Sequence, residues 1–233
     1  RGGGQGDYRC IVLCPSSIQE FVDLMLPAYE LAEKYRIVTI MMGEGTLGQM
    51  MEPVELPDFV EPKRTPWALN GHYTYKKIGI FERDSMAEAV ELRAKYAEIK
   101  ENEQRWEEED IADADYVFVA YGVPGRATLG AVRELRAAGE KVGLVKVRLY
   151  RPFVAKYLLD VLPKTVKSIS VLDRTKEPGS IGEPLYLDVV AALKGTEFET
   201  TPVLSGRYGL ASKDTNPSCI VAVYRNMDAA ESK

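Results

Sequence analysis

The chain has 233 residues, 45% of them hydrophobic, with 30 basic and 35 acidic side chains and a formal net charge of −5. The composition is typical of a globular protein, and the length predicts one or two domains. It lacks the basic excess of nucleic-acid-binding proteins, and no apolar run approaches the roughly 18 residues of a membrane span. We therefore expect a cytoplasmic protein that binds neither nucleic acid nor membrane.

The first sixty residues predict one strand–helix–strand unit. A β-rich run at 9–14 indicates a buried strand, and Ser17 followed by Glu20 is a capping-box signature for a helix ending near Lys34. Residues 37–42 predict a second strand, and the crossover between the two strands should be right-handed. The opening Arg-Gly-Gly-Gly indicates a chain cut inside a larger protein, or a split subunit.

A proline-rich connector and a charged helix follow. Four prolines interrupt residues 51–84, which should cross a surface without regular structure. From Ser85 a charged helix with a narrow apolar stripe is predicted to run to about Glu109. The stripe has two interpretations, packing within the chain or an oligomer contact.

From Asp115 onward, strands alternate with helices. This order predicts a mostly parallel sheet covered by helices on both faces. We expect strands at 116–121, 142–147, 168–172 and 203–204, and helices at 126–138, 155–162, 184–193 and 216–227.

Neither an iron–sulfur cluster nor a metal site is expected from this chain. It contains three cysteines, Cys10, Cys14 and Cys219, whereas a cluster needs four thiolate ligands. For Cys10 and Cys14, which share one face of the first strand, buried, reduced thiols are the better interpretation. The residues Gly43 to Gly48 satisfy G-x-G-x-x-G after a strand, but prolines follow and leave no room for a helix of useful length. Close packing of the loop is therefore favoured over dinucleotide binding.

The most informative segment is Ser170 to Gly182, SVLDRTKEPGSIG, which links a strand to a helix that begins near Pro184. Loops at the carboxyl ends of strands are where open α/β sheets carry their sites. We favour a contact between domains or subunits, with a self-contained salt-bridged turn and an anion held by the N–H groups of 181–183 as alternatives. The charged candidates are Asp173, Arg174, Lys176 and Glu177.

Four blocks of this sequence resemble the 2-oxoacid:ferredoxin oxidoreductases, specifically the C-terminal portion of their alpha subunit. The blocks are residues 4–20, 45–55, 170–189 and 206–213. The resemblance implies an α/β chain in three parts. They are the second half of a thiamine diphosphate pyrimidine-binding domain (1–60), a connector with the charged helix (61–112), and a transketolase C-terminal-like domain (113–233).

The resemblance also implies an activity, the CoA-dependent oxidative decarboxylation of a 2-oxoacid to an acyl-CoA with electrons passed to ferredoxin. The first two blocks are most similar to the 2-oxoisovalerate and 2-oxoglutarate enzymes, and the last two to the pyruvate enzymes, so the substrate stays open. The competing hypothesis is a non-catalytic transketolase C-terminal-like module for interaction or assembly.

In this family, the glutamate that activates thiamine and a substrate-contacting threonine lie in the missing first half-domain. Glu44, Glu52 and Glu55 are therefore not assigned the glutamate's role. Arg1 is the candidate near the substrate carboxylate. Gly45, Gln49 and Met50 join the charged loop as interface candidates.

The implied cofactors and partners belong to an assembled oligomer. Thiamine diphosphate and Mg are expected there, with iron–sulfur clusters on partner chains and none of these bound to this chain alone. The implied partners are a diphosphate-binding beta subunit, a gamma subunit and a ferredoxin-like delta subunit, together with CoA and the 2-oxoacid.

Overall fold

The computed structural model of the protein describes residues 9–63, 65 and 85–229, and within them the strands form two sheets. In the smaller sheet, β1 (Ile11–Leu13) lies in the middle. It pairs in parallel with β2 (Thr39–Met41) and antiparallel with β6 (Leu149–Arg151). The predicted strand–helix–strand unit is confirmed. A strand from the C-terminal region completes its sheet, which the sequence did not predict.

Helix α1 (Ile18–Tyr35) connects the two parallel strands, and its start is capped as predicted. The Oγ atom of Ser17 accepts a hydrogen bond from the Glu20 N–H at 3.1 Å. The Glu20 carboxylate accepts one from the Ser16 N–H at 2.9 Å, so one donor of the helix start and one donor just before the N-cap are satisfied.

The larger sheet has five strands, in the order β3 (Trp106–Glu109), β5 (Val142–Val147), β4 (Tyr116–Ala120), β7 (Ser168–Asp173) and β8 (Val203–Arg207). Neighbouring strands from β5 to β8 are parallel, and β3 pairs antiparallel with β5. The predicted α/β fold with a mostly parallel sheet is confirmed.

Helices cover both faces of the larger sheet because its central strands are apolar on both sides. Along β4, Val117 and Val119 face one helix layer, whereas Phe118 and Ala120 face the other. The first layer contains α5 (Ala155–Val161) and α6 (Pro184–Leu193), and the second contains α4 (Val123–Ala137) and α7 (Pro217–Asp228).

The predicted end of the charged helix at Glu109 is wrong. Helix α3 (Ser85–Asn102) ends seven residues earlier, and the glutamate-rich segment after it forms strand β3. The backbone of β3 pairs with β5, and Trp106 packs edge-to-face on Phe153 at a centroid distance of 5.5 Å. Tertiary pairing therefore overrides a local preference for helix.

The apolar stripe of α3 packs within the chain. Ile99 is fully buried, and the Tyr96 hydroxyl donates a hydrogen bond to the Cys10 carbonyl at 3.1 Å. The boundary near residue 113 stays a prediction, although β3 and β6 each pair with a strand from the other side of it. Residues 51–63 have neither helix nor strand, as expected for the connector, and residues 64 and 66–84 of it lie outside the described part of the chain. Across the described ranges, no helix has the length and apolarity to cross a bilayer.

Candidate functional site

The carboxyl ends of β2, β4, β7 and β8 converge on a cavity of about 220 Å³, which we term the central cavity. This is the edge at which open α/β sheets bind their ligands. Its wall is mainly aromatic and aliphatic, with one ion pair. The lining includes Met42, Glu44, Tyr121, Tyr150, Arg174 and Tyr208.

Arg174 joins the loop after β7 to the loop after β2. Its guanidinium donates hydrogen bonds to the Glu44 carboxylate and to Thr46 Oγ1, the latter at 3.0 Å. Thr46 lies in α2 (Gly45–Gln49), a five-residue helix, in agreement with the expectation that no long helix starts there. The Arg174 and Glu44 side chains are both largely buried, so the pair fixes the two loops more firmly than an exposed pair would.

Asp173 is buried at the base of the same loop and caps helix α6. Its carboxylate accepts hydrogen bonds from the Leu185 N–H at 3.3 Å, the Tyr186 N–H at 3.1 Å and the Tyr121 hydroxyl at 3.2 Å. Burial raises the pKa of Asp173, and these hydrogen bonds partly oppose the rise. The chain's own carboxylate thus binds the first N–H groups of α6, whereas an anion at the N–H groups of 181–183 stays a prediction.

A second buried carboxylate, Glu183, braces the loop from inside. It accepts hydrogen bonds from the Glu177 N–H at 2.8 Å and from Arg207 Nε at 2.5 Å. Its side chain is only 1% exposed, whereas Lys176 on the same loop is exposed. The loop therefore combines internal braces with the connection that Arg174 makes to the loop after β2.

Three tyrosines form the aromatic wall of the central cavity. The rings of Tyr121 and Tyr150 stack at a centroid distance of 5.0 Å and an interplanar angle of 9°. Burial raises the pKa of Tyr121, Tyr150 and Tyr208 far above neutrality. These hydroxyls are protonated at physiological pH and act as neutral hydrogen-bonding groups.

An adjoining cavity of about 350 Å³, the outer cavity, shares Glu44, Arg174 and Tyr208 with the central one. Met50 also lines it, so two residues singled out from the sequence, Met50 and Arg174, lie at one site. Gly45 begins α2 and Gln49 ends it, next to this cavity. Arg1 lies outside the described residues.

Sequence reasoning missed Glu44 as the partner of Arg174, and it missed the pair formed by Glu183 and Arg207. Arg207 belongs to block 206–213, one of the four blocks on which the family resemblance depends. The sequence therefore indicated its position but not its pairing with Glu183. Glu44 lies 130 residues from Arg174, and Glu183 lies 24 residues from Arg207. No local sequence pattern links residues that far apart.

Two family models match the chain. One, described as "Pyruvate flavodoxin/ferredoxin oxidoreductase, thiamine diP-bdg", matches residues 4–115, and the other, described as "Pyruvate:ferredoxin oxidoreductase core domain II", matches residues 114–220. The chain belongs to the 2-oxoacid:ferredoxin oxidoreductase family. Its first part matches the thiamine diphosphate-binding region of that family, which confirms the resemblance seen in the sequence.

Relatives of known name include oxidoreductases for two different 2-oxoacids. A probable pyruvate-flavodoxin oxidoreductase of Escherichia coli is 57% identical over 125 residues, which are 52% of this chain and 11% of that protein. Ketoisovalerate oxidoreductase subunit VorB of Methanothermobacter marburgensis is 41% identical over 178 residues, 73% of this chain and 51% of that one. The chain thus spans about half of one relative and about a tenth of the other.

A solved structure shares the fold. It is the 2-oxoglutarate:ferredoxin oxidoreductase from Magnetococcus marinus, with 2-oxoglutarate, coenzyme A and succinyl-CoA bound. The TM-score is 0.66 and the identity 15%, over 97% of this chain and 44% of that chain. At this identity, the likeness concerns the fold alone.

Glu44 and Glu52, near the β2 loop, do not fit the activation of thiamine, which needs a carboxylate free to contact the aminopyrimidine ring, because both are paired. Glu44 pairs with Arg174. Glu52 accepts hydrogen bonds from the Ile18 N–H at 3.0 Å and from Arg126 at 2.5 Å, and Glu55 is exposed on the connector. In the part of the chain that the structure describes, no group of three metal-ligating side chains was found.

Proposed function

We propose that this chain is part of the alpha subunit of a 2-oxoacid:ferredoxin oxidoreductase. In the overall reaction, the bond between C1 and C2 of the 2-oxoacid breaks and CO₂ leaves. The remaining acyl group forms a thioester with CoA, and two electrons pass to ferredoxin. Thiamine diphosphate would supply the carbanion chemistry in the assembled enzyme, and the rest of its site would come from residues outside this chain.

The observation that carries this proposal is the match of residues 4–220 to two adjoining regions of the family. Hydrogen bonds from Arg174 also connect the two regions, and we term this connection the joint. Arg174 from the second region holds Glu44 and Thr46 from the first. A free-standing assembly module has no need of a buried cross-link at this edge of the sheets. We therefore place the catalytic hypothesis ahead of the non-catalytic one.

In this proposal, Arg174 is a positioning residue. It fixes the loop after β2, which borders the pyrimidine side of the cofactor site in the assembled cytoplasmic enzyme. The partners would be the diphosphate-binding beta, gamma and ferredoxin-like delta subunits. The substrate is a 2-oxoacid of the pyruvate, 2-oxoisovalerate or 2-oxoglutarate class.

The test is ferredoxin reduction by the complete enzyme, purified without oxygen together with all its partner chains. Pyruvate, 2-oxoisovalerate and 2-oxoglutarate are each supplied with and without CoA. We expect one of them to give CoA-dependent reduction. An intact complex that contains its cofactors and reduces no ferredoxin with any of the three would contradict the proposal and favour the assembly module.

A matched pair of variants tests the joint. Arg174→Met removes the link to Glu44 and Thr46 while keeping the aliphatic stem, and we expect about a tenfold loss of kcat/KM because the loop is displaced. Lys164→Met, before the amino end of β7, removes a charge on a side chain that is 84% exposed and should keep the activity of the unaltered enzyme. Equal activity of the two variants would show that the joint does not serve catalysis.

A further inference from the structure

A second site lies beside the start of β1 and shares no lining residue with the central cavity. It is a cavity of about 310 Å³ between Arg9, which precedes β1, the end of β6 and helix α3, and we term it the basic cavity. The residues that shape it are Arg9, Tyr96, Lys100, Arg151, Phe153 and Asp188.

The lining of the basic cavity is strongly positive. Among its described residues it carries three cations, Arg9, Lys100 and Arg151, against one carboxylate, Asp188. Asp188 pairs with Arg151 at 2.7 Å. The other two cations stand over the ring of Tyr96, at 5.4 Å for Arg9 and 6.0 Å for Lys100. A cation–π contact at an exposed site stabilises a cation by only about 0.5–1 kcal/mol, so repulsion between Arg9 and Lys100 remains.

The side of this cavity formed by Arg151 and Tyr96 is held in place by contacts within the chain. The Arg151 guanidinium lies 4.1 Å from the ring centroid of Tyr150 and is held by Asp188. The Tyr96 hydroxyl donates its hydrogen bond to the Cys10 carbonyl, which ties α3 to the start of β1. A preorganised site of this kind loses little conformational entropy on binding.

We propose that the basic cavity binds a phosphate dianion, either free or as the head of a small phosphate monoester. The Arg9 guanidinium matches phosphate oxygens in a bidentate way, and Lys100 adds a point charge. Arg151, whose guanidinium donates to Tyr150 and pairs with Asp188, contributes positive charge to the wall. The excess of two positive charges matches a dianion better than a monocarboxylate. Pro152 and Phe153 offer an apolar wall for the organic part of an ester. This inference does not depend on the proposed catalytic function.

The test is isothermal titration calorimetry on the full 233-residue chain at constant ionic strength, with inorganic phosphate and glycerol 3-phosphate as probes and chloride as the monoanion control. We expect saturable binding of at least one phosphate probe. Tighter binding of glycerol 3-phosphate would assign the site to a monoester, and equal binding would assign it to the phosphate group alone. No saturable binding of either probe up to about 10 mM would overturn the proposal.

Charge-removing variants locate the binding. Arg9→Gln and Lys100→Gln should each weaken phosphate binding about tenfold, since each removes a charge-assisted hydrogen bond. Both side chains are exposed, so the variants should fold. Lys95→Gln is the control on the same helix, where Lys95 pairs with Glu91, and it should change the affinity less than about twofold. Equal weakening by all three variants would reveal diffuse electrostatic attraction and also overturn the proposal.

Discussion

Replacing Lys146 by methionine should destabilise the protein by removing a buried cation that connects three elements. The side chain lies on β5 and is only 7% exposed. Its ammonium group donates hydrogen bonds to Glu20 of α1 and to Glu107 of β3, the latter at 2.9 Å. Methionine keeps most of the aliphatic volume, so the change isolates the charge.

The expected loss follows from the partners that remain. Breaking a buried ion pair by removing one partner typically costs about 3–5 kcal/mol. Here Arg148 stays within 2.8 Å of both Glu20 and Glu107, and Glu107 is 37% exposed, so part of the compensation survives. We therefore expect the free energy of unfolding to fall by about 2 kcal/mol.

Urea denaturation followed by far-ultraviolet circular dichroism measures this loss, provided that a second probe gives a coincident transition. Lys141→Met is the matched control, because Lys141 is exposed at the start of the same strand and should stay within about 0.5 kcal/mol of the unaltered protein. In a Glu20→Gln background, the cost of Lys146→Met should shrink by about 1 kcal/mol. If Lys146→Met matched Lys141→Met, the reasoning about the buried charge network would fail.

Three further outcomes follow from packing, reactivity and ionisation. Gly143→Ala should destabilise the protein by about 1–3 kcal/mol, because a Cβ there would lie 2.8 Å from Ile111 and 2.9 Å from a backbone oxygen. Gly130→Ala, in open space on α4, should stabilise it by about 0.5–1 kcal/mol, and thermal unfolding compares the two. Iodoacetamide should label the exposed Cys219 and spare Cys14, since burial raises the pKa of Cys14 to about 12. Mass spectrometry of the digested protein measures the labelling of each cysteine. Fast labelling of Cys14 in the folded protein would contradict its burial. Although burial opposes the change, hydrogen bonds from Lys146 and the Ser16 N–H hold the pKa of Glu20 below its ordinary value of 4.5. The contribution of ionised Glu20 to stability is therefore complete above pH 4.5 and is lost as the pH falls through the lowered pKa. Glu20→Gln should flatten the acid limb of the plot of unfolding free energy against pH, and an unchanged acid limb would refute this.

Much of the fold was predictable because its signals are local. The capping box at Ser17 and the glycine at 139, with φ +93°, mark helix ends through nearest-neighbour chemistry. The strands 116–121 and 142–147 are short apolar runs between turn signals, as buried parallel strands are. The family resemblance also depended on local blocks such as Ser170 to Gly182, and the match of two family models confirmed it.

Other features depended on partners that are distant in sequence. Nothing near Trp106–Glu109 predicts a strand, and it forms one because β5 offers a free edge. Leu149–Arg151 follows β5 in the chain, but it pairs with β1 in the smaller sheet and does not join the larger one. Its position in the sequence did not indicate this pairing. Pairing of this kind is decided by which edges the folded chain brings together, and β-propensity is correspondingly dependent on context.

The sequence by itself determined the α/β class, most element positions, the family and the loop that carries Arg174. Only the tertiary structure decided that Arg174 meets Glu44, that Asp173 caps α6, and that three cations surround one cavity. The physical reason is the distance along the chain over which each kind of interaction acts. Capping and periodicity act over a few residues, whereas ion pairs and cavities arise from segments that folding places side by side.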